Sequence, residues 1–281
     1  MKPNRFRPFS KNTTLSVLGT AALGIALAFS PTEAQAIAVD SELVLLVDIV
    51  QPEMTNGMFN QLKNSYASTF TSSQFLNAIQ SGVTGRIAVS VIFYGGAATQ
   101  VTAVPWMSIA NLSDAQSFVS LLQSANRPNT NAYSNPATAL TAATSSFGTE
   151  TGGSSNGFES AAQIINVTSS GIPSNSMAAA TSASSANALA SGVDLINAVA
   201  YGSYANSINS FYAANVIGST LPGVTATSSI AANNGALPTS ISAALTSSAQ
   251  NGAAASITAV PEPSSLMSLL PAALLIFRRR R

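Results

Sequence analysis

Apolar residues along the chain follow two alternating patterns, one typical of buried strands and one typical of helices. Residues 43–49 form an apolar run rich in Val, Ile and Leu that only Asp48 interrupts, as in a parallel strand that is covered on both faces. In residues 58–79, large apolar side chains recur at the spacing of one helix face. Strand and helix patterns continue to alternate after this pair, which indicates repeated strand–helix units.

The same patterns predict the remaining elements. The predicted strands are residues 86–94, 99–106, 163–168, 193–200 and 224–227. One predicted helix is capped by Ser113, and the others are residues 135–147, 176–191, 207–215 and 237–247. Gly95 and Gly96 predict a hairpin turn between the second and third strands. The order predicts a three-layer, Rossmann-like α/β fold: a mostly parallel central sheet, one antiparallel hairpin edge strand, and helices on both faces.

The N-terminal segment has the three parts of a secretory signal peptide. Basic residues between Lys2 and Lys11 precede an apolar run over 15–29, and Pro31 follows. Small residues at Ala34 and Ala36 favour cleavage before Ile37, so residues 1–36 are predicted to be the signal peptide. The alternative is an uncleaved membrane anchor, although the apolar run is short for a spanning helix.

The C-terminal segment carries a second, tripartite signal. Pro261, Glu262 and Pro263 precede an apolar stretch over 264–277, and the basic cluster Arg278, Arg279, Arg280 and Arg281 ends the chain. This arrangement resembles the PEP-CTERM sorting signal of Gram-negative bacteria. The resemblance implies a short transmembrane segment, an exosortase-type membrane protease as a partner, and a link to the exopolysaccharide or outer-surface layer. We therefore expect a sorting tail at 260–281, a domain at 37–250 and a flexible linker at 251–259 between them.

Charge is scarce, and it is concentrated at the two ends of the chain. Charged residues make up 7% of the sequence, against roughly 25% in an average soluble protein. Between residues 37 and 260, three basic residues stand against eight acidic ones, a net charge of −5. An acidic domain without a basic stripe argues against nucleic acid as a partner.

The sequence contains neither cysteine nor histidine. Disulfides, thiolate nucleophiles and the usual zinc ligand sets are therefore excluded. The most common general base near neutral pH is also missing, and no serine has an evident partner that would activate it as a nucleophile. We expect the protein not to be an enzyme.

Four stretches resemble a von Willebrand factor A (VWA) domain, and more narrowly a bacterial family of VWA-like proteins catalogued as a domain of unknown function. They are residues 42–48, residues 85–94 with 104–106, residues 164–168 and residues 211–218. Their order covers nearly all of the chain between the two export signals. The resemblance implies a VWA fold whose divalent cation site lies at the carboxyl ends of the strands.

The positions that would hold that cation are degenerate. The family motif is Asp-x-Ser-x-Ser, completed by a Thr and a second Asp; here Asp48 keeps the first position, but Val50 and Pro52 replace the two serines. Ser134 falls near the Thr, and Ser170 stands where the second Asp belongs. Mg²⁺ requires several oxygen ligands, including carboxylates, so we expect no metal and no cofactor. Asp48 then remains as a relic that caps the next helix; the alternative is an altered Mg²⁺ site.

These observations predict an exported cell-surface or extracellular-matrix protein of a Gram-negative bacterium, which passes through an inner-membrane-anchored intermediate. Its VWA-like domain would bind a surface protein or an exopolysaccharide without a metal ion. The alternative is a metal-dependent VWA adhesion module with an altered cation site.

The sorting tail is predicted to take no part in the fold. Deleting residues 260–281 should leave the melting temperature of the exported protein unchanged and should alter where the protein is found in the cell. Thermal unfolding of both forms, together with cell fractionation, tests this. A lower melting temperature in the truncated form would contradict it.

Overall fold

Within residues 36–51, 53–130 and 133–259, which the computed structural model describes, seven strands form one sheet around β2. Two further strands, β1 and β5, form a small parallel pair beside it. The strands are β1 (Ile37–Val39), β2 (Ser41–Asp48), β3 (Ile87–Tyr94), β4 (Gln100–Ile109), β5 (Phe158–Ser160), β6 (Gln163–Ser169), β7 (Leu195–Ala200), β8 (Gly218–Ser219) and β9 (Ser228–Ile230). The main sheet runs β4-β3-β2-β6-β7-β8, and β9 pairs with β7.

The sheet is mostly parallel, as predicted. Strand β2 pairs in parallel with β3 and β6, and β7 pairs in parallel with β6 and β9. The predicted hairpin places β4 antiparallel at one edge, and the two-residue strand β8 adds a short antiparallel pair at the other. Residues 224–227 were predicted to be the last strand, but the strand that forms is β9, just after them. The mixed α/β fold class is confirmed.

Helices cover both faces of the sheet. They are α1 (Asn56–Phe70), α2 (Ser73–Gln80), α3 (Leu112–Ser124), α4 (Pro136–Ser146), α5 (Ala178–Ala190), α6 (Ala205–Asn215) and α7 (Leu237–Ala259). One core lies under α1, α2, α3 and α7, and the other lies under α4, α5 and α6. The apolar residues of β2 alternate between the two cores, which is why its sequence is apolar at nearly every position.

Two helix boundaries differ from the prediction because polar side chains cap the chain at other positions. Residues 58–79 form two helices rather than one, since Ser72 accepts a hydrogen bond from the Phe75 amide and starts α2. Helix α3 is capped by Asn111, which accepts from the Asp114 amide, and not by Ser113. Both Asn and Ser are good N-caps, so the pattern alone does not distinguish such neighbours.

The predicted linker at 251–259 is wrong: these residues are the last turns of α7. Gly252 lies so close to Ser41 and Ile164 that a Cβ atom there would collide with Ser41. Ala253 and Ser256 are buried on the same side of the helix. Small residues in this segment therefore allow close packing of the helix on the sheet. The same small residues led to the prediction of a flexible linker.

Both ends of the described chain lie at the amino edge of the sheet. Strand β1 leads directly into the start of β2. Helix α7 runs antiparallel to the strands: Ser248 contacts Asn166 and Asn197 in mid-strand, and Ser256 accepts from the Val83 amide just before β3. The predicted signal peptide up to residue 35 and the predicted sorting tail from residue 260 lie outside the described residues. None of the helices among the described residues combines the length and the hydrophobicity of a membrane span.

Glu42 lies fully buried near the amino end of β2. Its carboxyl group accepts hydrogen bonds from the Asn156 amide and from Ser160 Oγ, which lies 3.1 Å away. Burial raises the pKa of Glu42 to about 7, the two hydrogen bonds oppose this, and the nearby Glu150 adds to it. Glu42 thus fixes the segment from Asn156 to Ser160, which contains β5, to the central strand.

Glu42 should make stability depend on pH. Its carboxyl pKa is higher in the folded state than its ordinary 4.5, so the folded state holds the proton more tightly. The contribution of Glu42 to the free energy of unfolding is therefore fully present below about pH 4.5 and is lost as the pH rises through about 7. The change is on the order of 3 kcal/mol. Chemical denaturation of wild type and Glu42→Gln between pH 4 and 8 measures this. The difference between the two proteins should change across that range, and a constant difference would contradict the assignment.

Candidate functional site

The candidate site lies at the carboxyl edge of the sheet, between β2 and β6. The connections from β2 lead to β3 on one side, and the chain later returns to β6 on the other, so the strand order reverses there. Open α/β sheets bind ligands in the crevice outside the carboxyl ends of the strands at such a point. Asp48 ends β2, Tyr94 ends β3 and Ser169 ends β6, so all three side chains start from this edge.

Asp48 is completely buried and hydrogen-bonded on both oxygens. Oδ1 accepts from the Val50 amide at 3.0 Å, and Oδ2 lies 2.5 Å from Ser169 Oγ. Burial raises the pKa of Asp48, and hydrogen bonds from Ser169 and the Val50 amide only partly oppose this. A Cβ atom on Gly171 would lie 2.7 Å from Oδ2, so only glycine allows the backbone to close over the carboxyl group.

The hydrogen atoms available at Ser169 also favour a protonated Asp48. Ser169 Oγ lies within donating distance of both Asp48 Oδ2 and the Gly171 carbonyl, and it accepts from the Gly171 amide. A hydroxyl group has one hydrogen and cannot donate to both acceptors. If Asp48 is protonated and donates to Ser169, the hydroxyl hydrogen is free for the Gly171 carbonyl. A protonated Asp48 therefore agrees both with the raised pKa of its carboxyl group and with the single hydrogen atom of the Ser169 hydroxyl group.

The structure brings the other two predicted positions, Ser134 and Ser170, to the same edge. Ser134 is fully buried, and its Cβ lies close to Gly171 and to the carboxyl group of Asp48. Among the described residues, its Oγ has no partner in good hydrogen-bonding geometry, although Asp48 and the hydroxyl groups of Tyr94 and Tyr212 are near enough to interact. Ser170 is also buried and faces Tyr201 rather than Asp48.

Ser169 rather than Ser170 contacts Asp48, and the pattern of the strands explains why. Val47 lies opposite Thr168 in the parallel register, so Asp48 and Ser169 follow on the same face of the sheet. Ser170 is one residue further and falls on the other face. Alternation of side chains along a strand could have identified Ser169 once the register was known.

The remainder of the crevice is filled by buried tyrosines, which were not among the site residues predicted from the sequence. The hydroxyl groups of Tyr94 and Tyr212 lie 2.8 Å apart, and burial raises the pKa of both. On the other face, Tyr201 donates to Met54 Sδ, and the Tyr66 hydroxyl lies 2.7 Å from Thr168 Oγ1. These rings occupy the space in which a doubly wound fold usually receives a ligand.

The predicted capping role of Asp48 is wrong. Helix α1 is capped by Thr55, whose hydroxyl oxygen accepts from the Met58 amide. Asp48 instead binds the amide of Val50, two residues along the chain, as in an Asx turn. Asp48 therefore shapes the backbone that leaves β2 and does not stabilise a helix terminus.

The residues at this edge do not fit a divalent cation. Mg²⁺ requires near-octahedral oxygen ligands, usually with one or two ionised carboxylates. Both oxygens of Asp48 are engaged within the protein, the buried Val50 offers no side-chain ligand, and the Gly171 backbone closes over Oδ2. Among the described residues, no three acidic side chains lie close enough together to hold a metal ion.

The surface above the crevice is formed by three adjacent loops with exposed apolar side chains. Tyr133 is 74% exposed, Ile172 36% and Tyr204 48%. A parallel bridge between Ser134 and Pro173 joins the first two loops, and the Tyr201 amide donates to the Ser169 carbonyl to join the second and third. We call Tyr133, Ile172 and Tyr204 the loop surface.

Solved structures share this fold at low sequence identity. The chain is similar to proximal thread matrix protein 1 from the mussel byssus, with 15% identity and a TM-score of 0.51 over 75% of this chain and 49% of the other. It is also similar to a D319A mutant of the PilB minor pilin from Streptococcus sanguinis, with 11% identity and a TM-score of 0.50 over 82% and 65%. A von Willebrand factor type A structure from Catenulispora acidiphila aligns with 12% identity and a TM-score of 0.45 over 75% and 43%. The chain thus spans about half the length of the byssus protein.

No curated protein matches this sequence. A family model described as a protein of unknown function, DUF1194, matches residues 38–232, which run from β1 to just beyond β9. The match contains Asp48, Ser134, Ser169 and the loop surface. It covers more than half of the chain, and the chain therefore belongs to the DUF1194 family.

Proposed function

We propose that this protein is a metal-independent, VWA-like interaction domain of an exported cell-surface or extracellular-matrix protein, and that it binds its partner through the loop surface. The observation that carries the proposal is the sealed crevice. Asp48, Ser169 and the buried tyrosines fill the position where a small ligand or cation would bind. Contacts with a partner are then left to the exposed side chains above it.

Several features support a binding role rather than catalysis. The chain has no histidine or cysteine, and within the part that the structure describes no exposed nucleophile lies beside the buried carboxyl group of Asp48. Two proteins that share the fold are described as a thread matrix protein and a minor pilin, so the fold occurs in matrix and pilus proteins. This is an analogy between folds and supports the proposal only in that sense.

Export and sorting complete the proposal. The tripartite C-terminal segment would be recognised by an exosortase-type protease after the chain is held in the inner membrane. Because both ends of the domain lie at the amino edge, the loop surface would remain accessible while the tail is held. The partner at the cell surface would be a protein or an exopolysaccharide.

Asp48→Ala tests the metal-dependent alternative. The substitution should lower the free energy of unfolding by roughly 1–3 kcal/mol, because it leaves the buried Val50 amide without its partner and removes one of the hydrogen bonds of Ser169. Millimolar Mg²⁺ should not raise the melting temperature of either protein. An ion that bound only the folded state would stabilise that state and would raise the melting temperature. Melting curves of both proteins with Mg²⁺ and with a chelator measure this. A Mg²⁺-dependent rise in wild type that disappears in Asp48→Ala would restore the adhesion module with an altered cation site.

The loop surface can be tested by binding to isolated cell-surface material of the bacterium that carries the gene. Replacing Tyr133 and Tyr204 together by alanine should weaken binding of the full chain by roughly tenfold or more, because exposed aromatic residues often dominate interfaces. Excess chelator should leave wild-type binding unchanged. Leu112→Ala with Leu121→Ala is a matched control, since both leucines are similarly exposed on α3. Equal losses in the two double variants would contradict the assignment.

A further inference from the structure

The loop surface is almost free of charge, which restricts the chemistry of its partner. Among the described residues, the loops at the carboxyl edge (49–51, 53–55, 95–99, 125–130, 133–135, 170–177, 201–204 and 231–236) contain two Asp, Glu, Lys or Arg side chains, Glu53 and Arg127. Arg127 is turned inward and donates to the Met54 carbonyl and to Asn56 Oδ1, 2.6 Å away. Its charge is therefore partly used to hold the loop that follows β2.

Uncharged polar groups surround the exposed rings. Asn129, Asn175 and Ser203 are exposed in the same loops, and Ser174 and Ser176 bind one another at the start of the turn before α5. Amide and hydroxyl groups both donate and accept hydrogen bonds, and the tyrosine side chain combines an apolar ring with a hydroxyl group. This combination suits a ligand that is rich in hydroxyl groups and also presents apolar C–H faces.

Backbone and side-chain hydrogen bonds connect the loops that carry the surface. Ser169 binds Asp48 and both backbone groups of Gly171, immediately before Ile172. The bridge from Ser134 to Pro173 fixes the backbone beside Tyr133, and the Tyr201 amide is bonded to β6 just before Tyr204. A surface that is ordered before binding loses less conformational entropy when the ligand arrives.

From these observations we propose that the loop surface binds a neutral glycan, with the rings of Tyr133 and Tyr204 stacked on sugar C–H faces and the surrounding amides and hydroxyls bonded to sugar hydroxyl groups. This inference rests on the proposed function and names its partner class. An acidic polysaccharide is disfavoured because the domain carries a net charge of −5 and the loops offer no basic cluster. A neutral glycan needs no complementary charge.

The experiment treats isolated cell-surface material either with periodate, which cleaves the vicinal diols of sugars, or with a protease. Retention of the full chain, purified in detergent, is then measured on each sample. We expect periodate to reduce retention by at least about tenfold and protease to leave it unchanged. Retention should also persist from low salt to about 0.5 M NaCl, because screening does not weaken contacts between uncharged groups. The double variant of Tyr133 and Tyr204 should be retained weakly on every sample.

The possible failures distinguish the two proposals. Retention that is lost with protease but survives periodate would overturn the proposal of a glycan ligand and would indicate a protein partner. The proposed function would remain intact. Retention that falls steeply with salt would indicate an acidic ligand and would also overturn it. If untreated material retained wild type, the double tyrosine variant and the double leucine control equally, the assignment of the loop surface as the binding site would be wrong. The proposed function would then fail as well.

Discussion

The structure depends on one strand, β2, that is buried along its whole length and still carries a carboxyl group near each end. Each buried acid must be neutralised or fully hydrogen-bonded, since an isolated charge in the interior is very costly. The two solutions are alike. Asp48 meets Ser169, which also contacts the Gly171 carbonyl, and Glu42 meets Ser160, which also contacts the Ala162 carbonyl. In both places a serine two residues before a carbonyl links the central strand to a neighbouring segment.

This arrangement explains how the carboxyl edge differs from a cation site. A divalent ion at that position would hold the loops together by attracting ionised oxygens. Here the same loops are held by hydrogen bonds through Asp48 and Ser169 and by tyrosine rings, and the Gly171 backbone lies directly against Asp48. The contacts that join these loops therefore need no ion, and the outer side chains are available for contacts of another kind.

The sequence was sufficient for the order of the longer strands and helices, because buried parallel strands and amphipathic helices have distinct periods. It did not predict the short strands β1, β5 and β8 or the division between α1 and α2. The resemblance to VWA domains placed Asp48, Ser134 and Ser170 together at the carboxyl edge. The sequence could not identify Tyr94, Tyr201 and Tyr212 as neighbours of Asp48, because they come from β3, from the loop after β7 and from α6. Nor could it separate Ser169 from Ser170 without the register, or recognise residues 251–259 as a packed helix rather than a linker.

The position of the chain ends also determines how the domain would bear a mechanical load. A ligand bound at the loop surface and a tether attached after α7 would pull on opposite edges of the sheet. The force would enter along the axis of α7, which lies antiparallel to the strands and is fixed to them by Ser248, Gly252 and Ser256. The helix would then have to slide along β2 and β6 as a unit, breaking these contacts together and not one after another. Tension would be carried in shear, the direction in which many weak contacts resist at once.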